Sequence, residues 1–245
     1  MQQFDQWHDY WDNFLLHKHG KAEVTSEDDL FFQVARTVNK KPVEKEVLDI
    51  IIAQIIRELN LTHNDLLVDF CCGNGLFTYE LRDVVKEIIA VDFAQNIIDT
   101  ANKYKAADNI AYRLGSAVTY MDTFKEEWPG KTPEKYLMND SLAYFTPADL
   151  EAMLKGIGAV SPRFAFLLRG APNEDLKWNF YNTEERKQYY YDNKAKGDLT
   201  NGGLGAWWKP VDIEEVCSRL GLNCTITNQV LPVSDYRMDI LLSTR

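Results

Sequence analysis

The chain has 245 residues, 45% of them hydrophobic, and a formal net charge of −10. That size and apolar content suffice for a full core in one domain with additions, while the negative balance opposes a phosphate backbone as partner, since nucleic-acid binding rests on Lys and Arg neutralising phosphates. No run reaches the roughly 18 apolar residues of a membrane span and the charged, aromatic N-terminus has no signal-peptide pattern, so the expectation is a cytoplasmic protein that binds neither membrane nor nucleic acid.

Residues 1–60 read as a helical N-terminal segment. Trp7, Tyr10, Trp11 and Phe14 fall at helical spacing, and Val43, Val47, Ile50, Ile51 and Ile55 form a second amphipathic stretch after Pro42. The apolar face of that stretch needs a packing partner. His17 and His19 stand two apart, which separates them on either a helix or a strand, and the four cysteines Cys71, Cys72, Cys217 and Cys224 lack zinc spacing. No metal site is expected, and the cysteines read as reduced thiols.

Residues 61–245 read as an alternating α/β domain. Its most informative run is Asp65-Leu66-Leu67-Val68-Asp69-Phe70-Cys71-Cys72-Gly73-Asn74-Gly75-Leu76-Phe77-Thr78, a buried strand leading into a glycine turn and then a helix. Gly73 and Gly75 let the backbone approach a ligand where a Cβ would clash, and a helix start offers free N–H groups. The third glycine of the dinucleotide pattern is missing, which weighs against a nicotinamide oxidoreductase. The next strand, Glu87-Ile88-Ile89-Ala90-Val91-Asp92-Phe93, ends in Asp92, 19 residues after Gly73, where a carboxylate can accept from both hydroxyls of a ribose.

A helix over 94–104, a strand over 109–114, a strand over 135–139, a helix over 148–155 and a strand over 163–168 follow. Pro210 opens a helix over 211–220 that Gly221 closes, and two β-like runs, 224–231 and 238–243, end the chain. This alternation predicts a doubly wound, mostly parallel sheet with a terminal hairpin supplying one antiparallel strand at its edge. Residues 171–209 form an insertion rich in aromatics, among them Trp178, Tyr181, Tyr190, Trp207 and Trp208, with Asn201-Gly202-Gly203-Leu204-Gly205 as a hinge. It reads as an acceptor lid, as a subdomain with its own small core, or as both.

Taken together, Val68 to Gly75, Ala90 to Phe93, Gly115-Ser116-Ala117 and Tyr136 to Ser141 come in the order of the class I S-adenosylmethionine (SAM) dependent methyltransferases, which this chain resembles. The resemblance implies a seven-stranded Rossmann-like sheet and SAM as cofactor. It assigns Asp69, Gly73, Asn74 and Gly75 to the methionine end of SAM, Asp92 and Phe93 to the ribose side, and Ser116 and Ala117 to the adenine, with Asn139 as a further cofactor position. Ser116 stands where the family commonly has an acid. A family habit of closing the pocket with an N-terminal helix adds Tyr10 and Trp11.

A looser resemblance, carried by residues 32–42, Trp207-Trp208 and Tyr236 to Ile240, is to a bacterial subgroup associated with surface-polysaccharide and small-molecule pathways. The chain departs from it at Leu168-Arg169-Gly170, where such sequences often have Gly-Asp. The implied activity is methyl transfer to a small polar metabolite, at oxygen, with a sugar, nucleotide-linked, phosphorylated or phosphoramidate-type acceptor. A small-molecule N-methyltransferase and a non-catalytic SAM-binding partner protein are the alternatives. Asp140, Tyr144 and His8 are the candidate bases, and Tyr144, Arg169, Tyr181, Trp207, Tyr236 and Arg237 the candidate acceptor contacts. The oligomeric state is not fixed by the sequence.

Overall fold

The computed structural model describes residues 7, 10–196 and 204–245. His8, and Asn201, Gly202 and Gly203 of the expected hinge, lie outside the described residues. Seven strands form the sheet: β1 (Leu66–Phe70), β2 (Glu87–Asp92), β3 (Ile110–Leu114), β4 (Lys135–Asn139), β5 (Ala165–Pro172), β6 (Asn223–Asn228) and β7 (Arg237–Ser243). Their order is β3-β2-β1-β4-β5-β7-β6. The fold is the α/β, mostly parallel, Rossmann-like arrangement that the alternating pattern implies. No helix among the described residues is long and apolar enough to cross a membrane.

The chain divides into two compact units, residues 1–136 and 137–245. In the first, β1 pairs in parallel with β2, and β2 with β3. Leu67, Val68, Phe70 and Ile88 to Val91 are all fully buried, as strands covered on both faces require. The helix Lys45–Leu59 turns Ile51, Ile55 and Leu59 inward, one per turn, and stops where Asn60 takes a left-handed conformation at φ 48°. A short helix, Glu27–Gln33, starts in a reciprocal cap between Ser26 and Asp29.

The expected helix directly after the glycine turn is absent. A 3-10 turn, Thr78–Leu81, stands there instead, continued by the i→i+3 bonds from Arg82 N to Tyr79 O and from Val84 N to Leu81 O. The β-branched pair Val84-Val85 and the early start of β2 at Glu87 leave little room for a longer helix.

In the second unit β7 runs antiparallel to both β5 and β6. The antiparallel strand therefore sits one place in from the edge, correcting the expectation of an antiparallel edge strand. Side chains explain the order: Met238, Ile240 and Leu242 of β7 are fully buried and need cover on both flanks, whereas polar Asn223 to Asn228 tolerates the exposed edge. The β5/β7 ladder changes register between Leu168 and Ala171, a bulge that frees Arg169 and Gly170 from regular pairing. The helix Pro147–Val160 starts in a Thr146–Asp149 capping box, and Pro210–Leu220 runs from Pro210 at its first turn to Gly221 at φ 67°.

Candidate functional site

The first unit holds the glycine turn. Beyond β1, Cys71 at φ 55°, Gly73 at φ 57° and Gly75 at φ 79° all take left-handed backbone, which reverses the chain within five residues. Cys72 N donates to Val91 O at 3.1 Å, tying the turn to β2. Gly75 is fixed by packing, since a Cβ there would lie 2.3 Å from the Tyr112 hydroxyl oxygen.

Two buried carboxylates flank the turn. Asp92 accepts from Gly73 N at 3.0 Å through Oδ2 and from Ala94 N at 3.1 Å through Oδ1. Asp69 accepts from Thr78 Oγ1 at 2.6 Å. Among the described residues no Lys or Arg hydrogen-bonds to either acid. Burial pushes Asp69 up to about 7, helped by the Asp92 charge and opposed by the Thr78 bond. Burial likewise pushes Asp92 up to about 6 against the pull of its backbone donors.

The N-terminal segment closes on this turn. Asn74 is fully buried, and its Nδ2 donates to Leu30 O at 2.8 Å and to Gln33 Oε1 at 3.0 Å, while among the described residues Oδ1 has no hydrogen-bond partner. Gln33 Nε2 in turn donates to Thr100 Oγ1 at 3.1 Å, on the helix Gln95–Tyr104 that follows Asp92. Val34 Cγ1 lies 3.0 Å from where a Gly73 Cβ would be. Tyr10 and Trp11 are half-buried in an aromatic cluster with Trp7 and Phe14, with Tyr10 5.3 Å from both Trp11 and Phe14.

Past β3, Gly115 N donates to Asp92 O at 2.9 Å, which brings the Ser116-Ala117 loop beside the end of β2. Ser116 Oγ accepts from Val118 N at 3.3 Å, and Ala117 is buried. Phe93 is half-buried at the same strand end.

The second unit carries a separate polar cluster around the β5 bulge. Asn139 is buried; its Oδ1 accepts from Arg169 Nη1 at 3.4 Å, and among the described residues its Nδ2 has no partner. Arg169 is 1% exposed, with Nε 3.9 Å from Asp239 Oδ2, so it is a sequestered structural charge with no surface for an acceptor. Asp140 sits at φ 58° and lies 3.3 Å from Arg237 Nη1, which also donates to Gly170 O. Tyr144 closes the 3-10 turn Leu142–Tyr144 that follows.

The aromatic insertion packs a small core of its own. Tyr181 is 1% exposed and stacks among Phe180, Tyr190 and Trp207. Trp208 is the buried anchor, its Nε1 donating to Leu142 O at 2.9 Å. Trp207 packs 6.0 Å from Tyr236, and its indole hydrogen-bonds to Tyr181.

Sequence reasoning missed Thr78, which holds Asp69, and the contacts of Leu30, Gln33 and Val34 on the turn. Of these only Gln33 and Val34 lie in the 32–42 stretch that carried the looser resemblance. The others give no signal, because each acts through a fold contact 9 or 44 residues away.

Bare backbone at the turn, an acidic pair without a basic partner and an unsatisfied buried amide suit a ligand with a ribose and a positive charge. Residues 67–161 match the family model described as a methyltransferase domain. Over that stretch the chain carries a methyltransferase domain.

Its fold is similar to that of magnesium protoporphyrin IX methyltransferase from Synechocystis with bound SAM, at a TM-score of 0.60 and 11% identity over 100% of this chain and 98% of that one. A SAM-dependent methyltransferase from Leishmania major gives a TM-score of 0.63 at 11% identity, covering 99% of this chain and 83% of that one. In sequence, the chain is 25% identical over 131 residues to a tRNA/tmRNA (uracil-C(5))-methyltransferase of Nautilia profundicola, covering 48% of this chain and 35% of that one. The chain thus spans about a third of that curated relative's length.

The raised acids make the protein's stability pH-dependent. A carboxyl group whose folded pKa lies above its unfolded value near 3.9 opposes folding fully above the folded pKa, and this opposition fades as pH falls toward the unfolded one. With Asp69 near 7 and Asp92 near 6, stability should rise by about 2 kcal/mol from pH 7.5 to pH 5.5. Denaturant midpoints at the two pH values check this, and Asp69→Asn should remove most of the rise. A parent protein that is equally stable at both would mean that Asp69 stays ionised.

Proposed function

We propose that the protein transfers the SAM methyl group to oxygen on a small polar metabolite. SAM supplies a methyl already activated by its sulfonium, so the protein's task is to hold the acceptor in line, exclude water and take a hydroxyl proton. The observation that carries the reading is the second unit's side-chain set: the Asp140 carboxylate paired with a partly exposed Arg237, next to an insertion whose Trp and Tyr rings offer apolar faces with polar tips. Asp140 is the group suited to take the proton, and Tyr144 lies close enough in the chain to assist it.

RNA is the acceptor named for the curated relative, and it is the reading that the net charge of −10 opposes most directly. The test is SAM turnover against sugar phosphates, nucleotide sugars, small amines and a tRNA transcript. Turnover of a hydroxyl-bearing small molecule is expected; turnover of the amines alone, or of the transcript alone, would replace this reading. Tight SAM binding with no turnover of any of them would favour a non-catalytic SAM-binding protein.

With the acceptor in hand, Trp207→Ala should leave SAM affinity within a few-fold and lower turnover roughly tenfold, about 1.4 kcal/mol of lost transition-state stabilisation. Steady-state kinetics per folded molecule, beside calorimetry for SAM, check it. Joint loss of stability and SAM affinity with normal turnover would make Trp207 a packing residue like Trp208.

A further inference from the structure

We propose that Arg237 is the anchor for an oxyanion of the methyl acceptor, a carboxylate or a phosphoryl group; this deepens the proposed function and rests on it. The two arginines of the polar cluster around the β5 bulge differ in a way that decides between them. Arg169 is 1% exposed and closed in by Asn139 and Asp239. Arg237 keeps 19% of its side chain exposed, and its bonds to Asp140 Oδ1 and Gly170 O both leave from Nη1. A guanidinium has five N–H donors in a rigid fork. Among the described residues no carboxylate or carbonyl engages its Nη2 and Nε, the paired edge that a two-oxygen anion fits.

The backbone around Arg237 is shaped to hold it in that pose. Asp140 occupies left-handed φ at 58° although it is not glycine, and Gly170 stands opposite at φ 72°. A Cβ on residue 170 would fall 1.6 Å from Asp140 Oδ1, so the carboxylate lies directly over bare backbone. Two left-handed residues and a bulge therefore combine to lean Asp140 against one face of the guanidinium, a concentration of local strain of the kind found where proteins bind ligands. On the other side Tyr236 hydrogen-bonds to the guanidinium, with its ring 5.4 Å away, and Trp207, whose indole is held by Tyr181, stands 6.0 Å from Tyr236. An oxyanion has lone pairs for the remaining donors of the fork. A cationic acceptor would meet the Arg237 charge instead.

The test is an anion titration on the full chain, with and without saturating S-adenosylhomocysteine, using inorganic phosphate and acetate as separate probes and tetramethylammonium chloride as the cationic control. Tryptophan fluorescence reads the response, and calorimetry measures S-adenosylhomocysteine binding separately. At least one anion should give a saturable response that weakens tenfold or more in Arg237→Gln and stays within twofold in Arg219→Gln, an exposed arginine of the same unit paired with Glu151. The stronger of the two anions tells a phosphoryl from a carboxylate acceptor. Should Arg237→Gln not fold, Arg237→Lys keeps the charge beside Asp140 and loses the fork, and at least a threefold weakening is expected there. Equal anion affinity in the parent and the folded Arg237 variant, no saturable response to either anion, or saturation by tetramethylammonium instead would overturn the proposal. A saturable, Arg237-dependent anion response in protein that does not bind S-adenosylhomocysteine would uphold the anion site and overturn the methyltransferase reading.

Discussion

Asp92→Ala should lose about tenfold to a hundredfold in SAM affinity, the equivalent of a charge-assisted hydrogen-bond pair worth ~1.5–3 kcal/mol. The prediction rests on the role proposed for this carboxylate, as acceptor for the cofactor's ribose. In the structure the carboxylate holds Gly73 N and Ala94 N, so the variant also loosens the turn from β2. Stability should change less than affinity. Leaving the Gly73 N–H without an acceptor costs ~1–3 kcal/mol, but the same substitution removes a carboxylate whose burial is itself unfavourable, as its pKa of about 6 shows. Calorimetric titration beside denaturant unfolding separates the two. SAM affinity equal to the parent's in folded Asp92→Ala would overturn the ribose assignment.

Gly73→Val should abolish measurable SAM binding and lower stability by roughly 2–3 kcal/mol, since a left-handed conformation costs a branched residue more than the usual ~1–2 kcal/mol. From the sequence alone, the expected clash is with the cofactor. In the structure a side chain at 73 first meets Val34, 3.0 Å from the ideal Cβ, so the variant pushes the N-terminal segment off the turn as it distorts the cofactor backbone. Thermal unfolding with and without SAM is the measurement. A parent-like Tm together with parent-like stabilisation by SAM would mean that the cofactor does not use this turn.

The parts of the fold written in local pattern were legible. Strand β4, 135–139, has the expected bounds, and the glycine turn, the acid-terminated β2 and the proline-opened, glycine-closed helix Pro210–Leu220 stand where spacing puts them. What failed depended on partners distant in sequence. The helix expected after Gly75 shortened to a 3-10 turn because β2 begins so soon after it. The order of the last two strands turned on how deeply Met238, Ile240 and Leu242 are covered, and alternation along one strand cannot disclose that. In the polar cluster, Arg169 and Arg237 look equivalent in sequence. The bulge at Leu168/Ala171 separates them, sending one inward and leaving the other within reach of solvent.

Asn74 shows how far the cofactor turn reaches back along the chain. Its amide is satisfied only by Leu30 and Gln33, more than forty residues upstream, and Gln33 is tethered in turn to Thr100. A fragment cut to the family-matched stretch 67–161 would retain every glycine and both acids, yet it would open with a buried amide stripped of its acceptors and with Val34's place beside Gly73 vacant. Grafting that stretch onto another scaffold would therefore transplant the letters of the glycine turn without the brace that sets its shape. A minimal module that keeps the turn in this shape has to begin before Leu30.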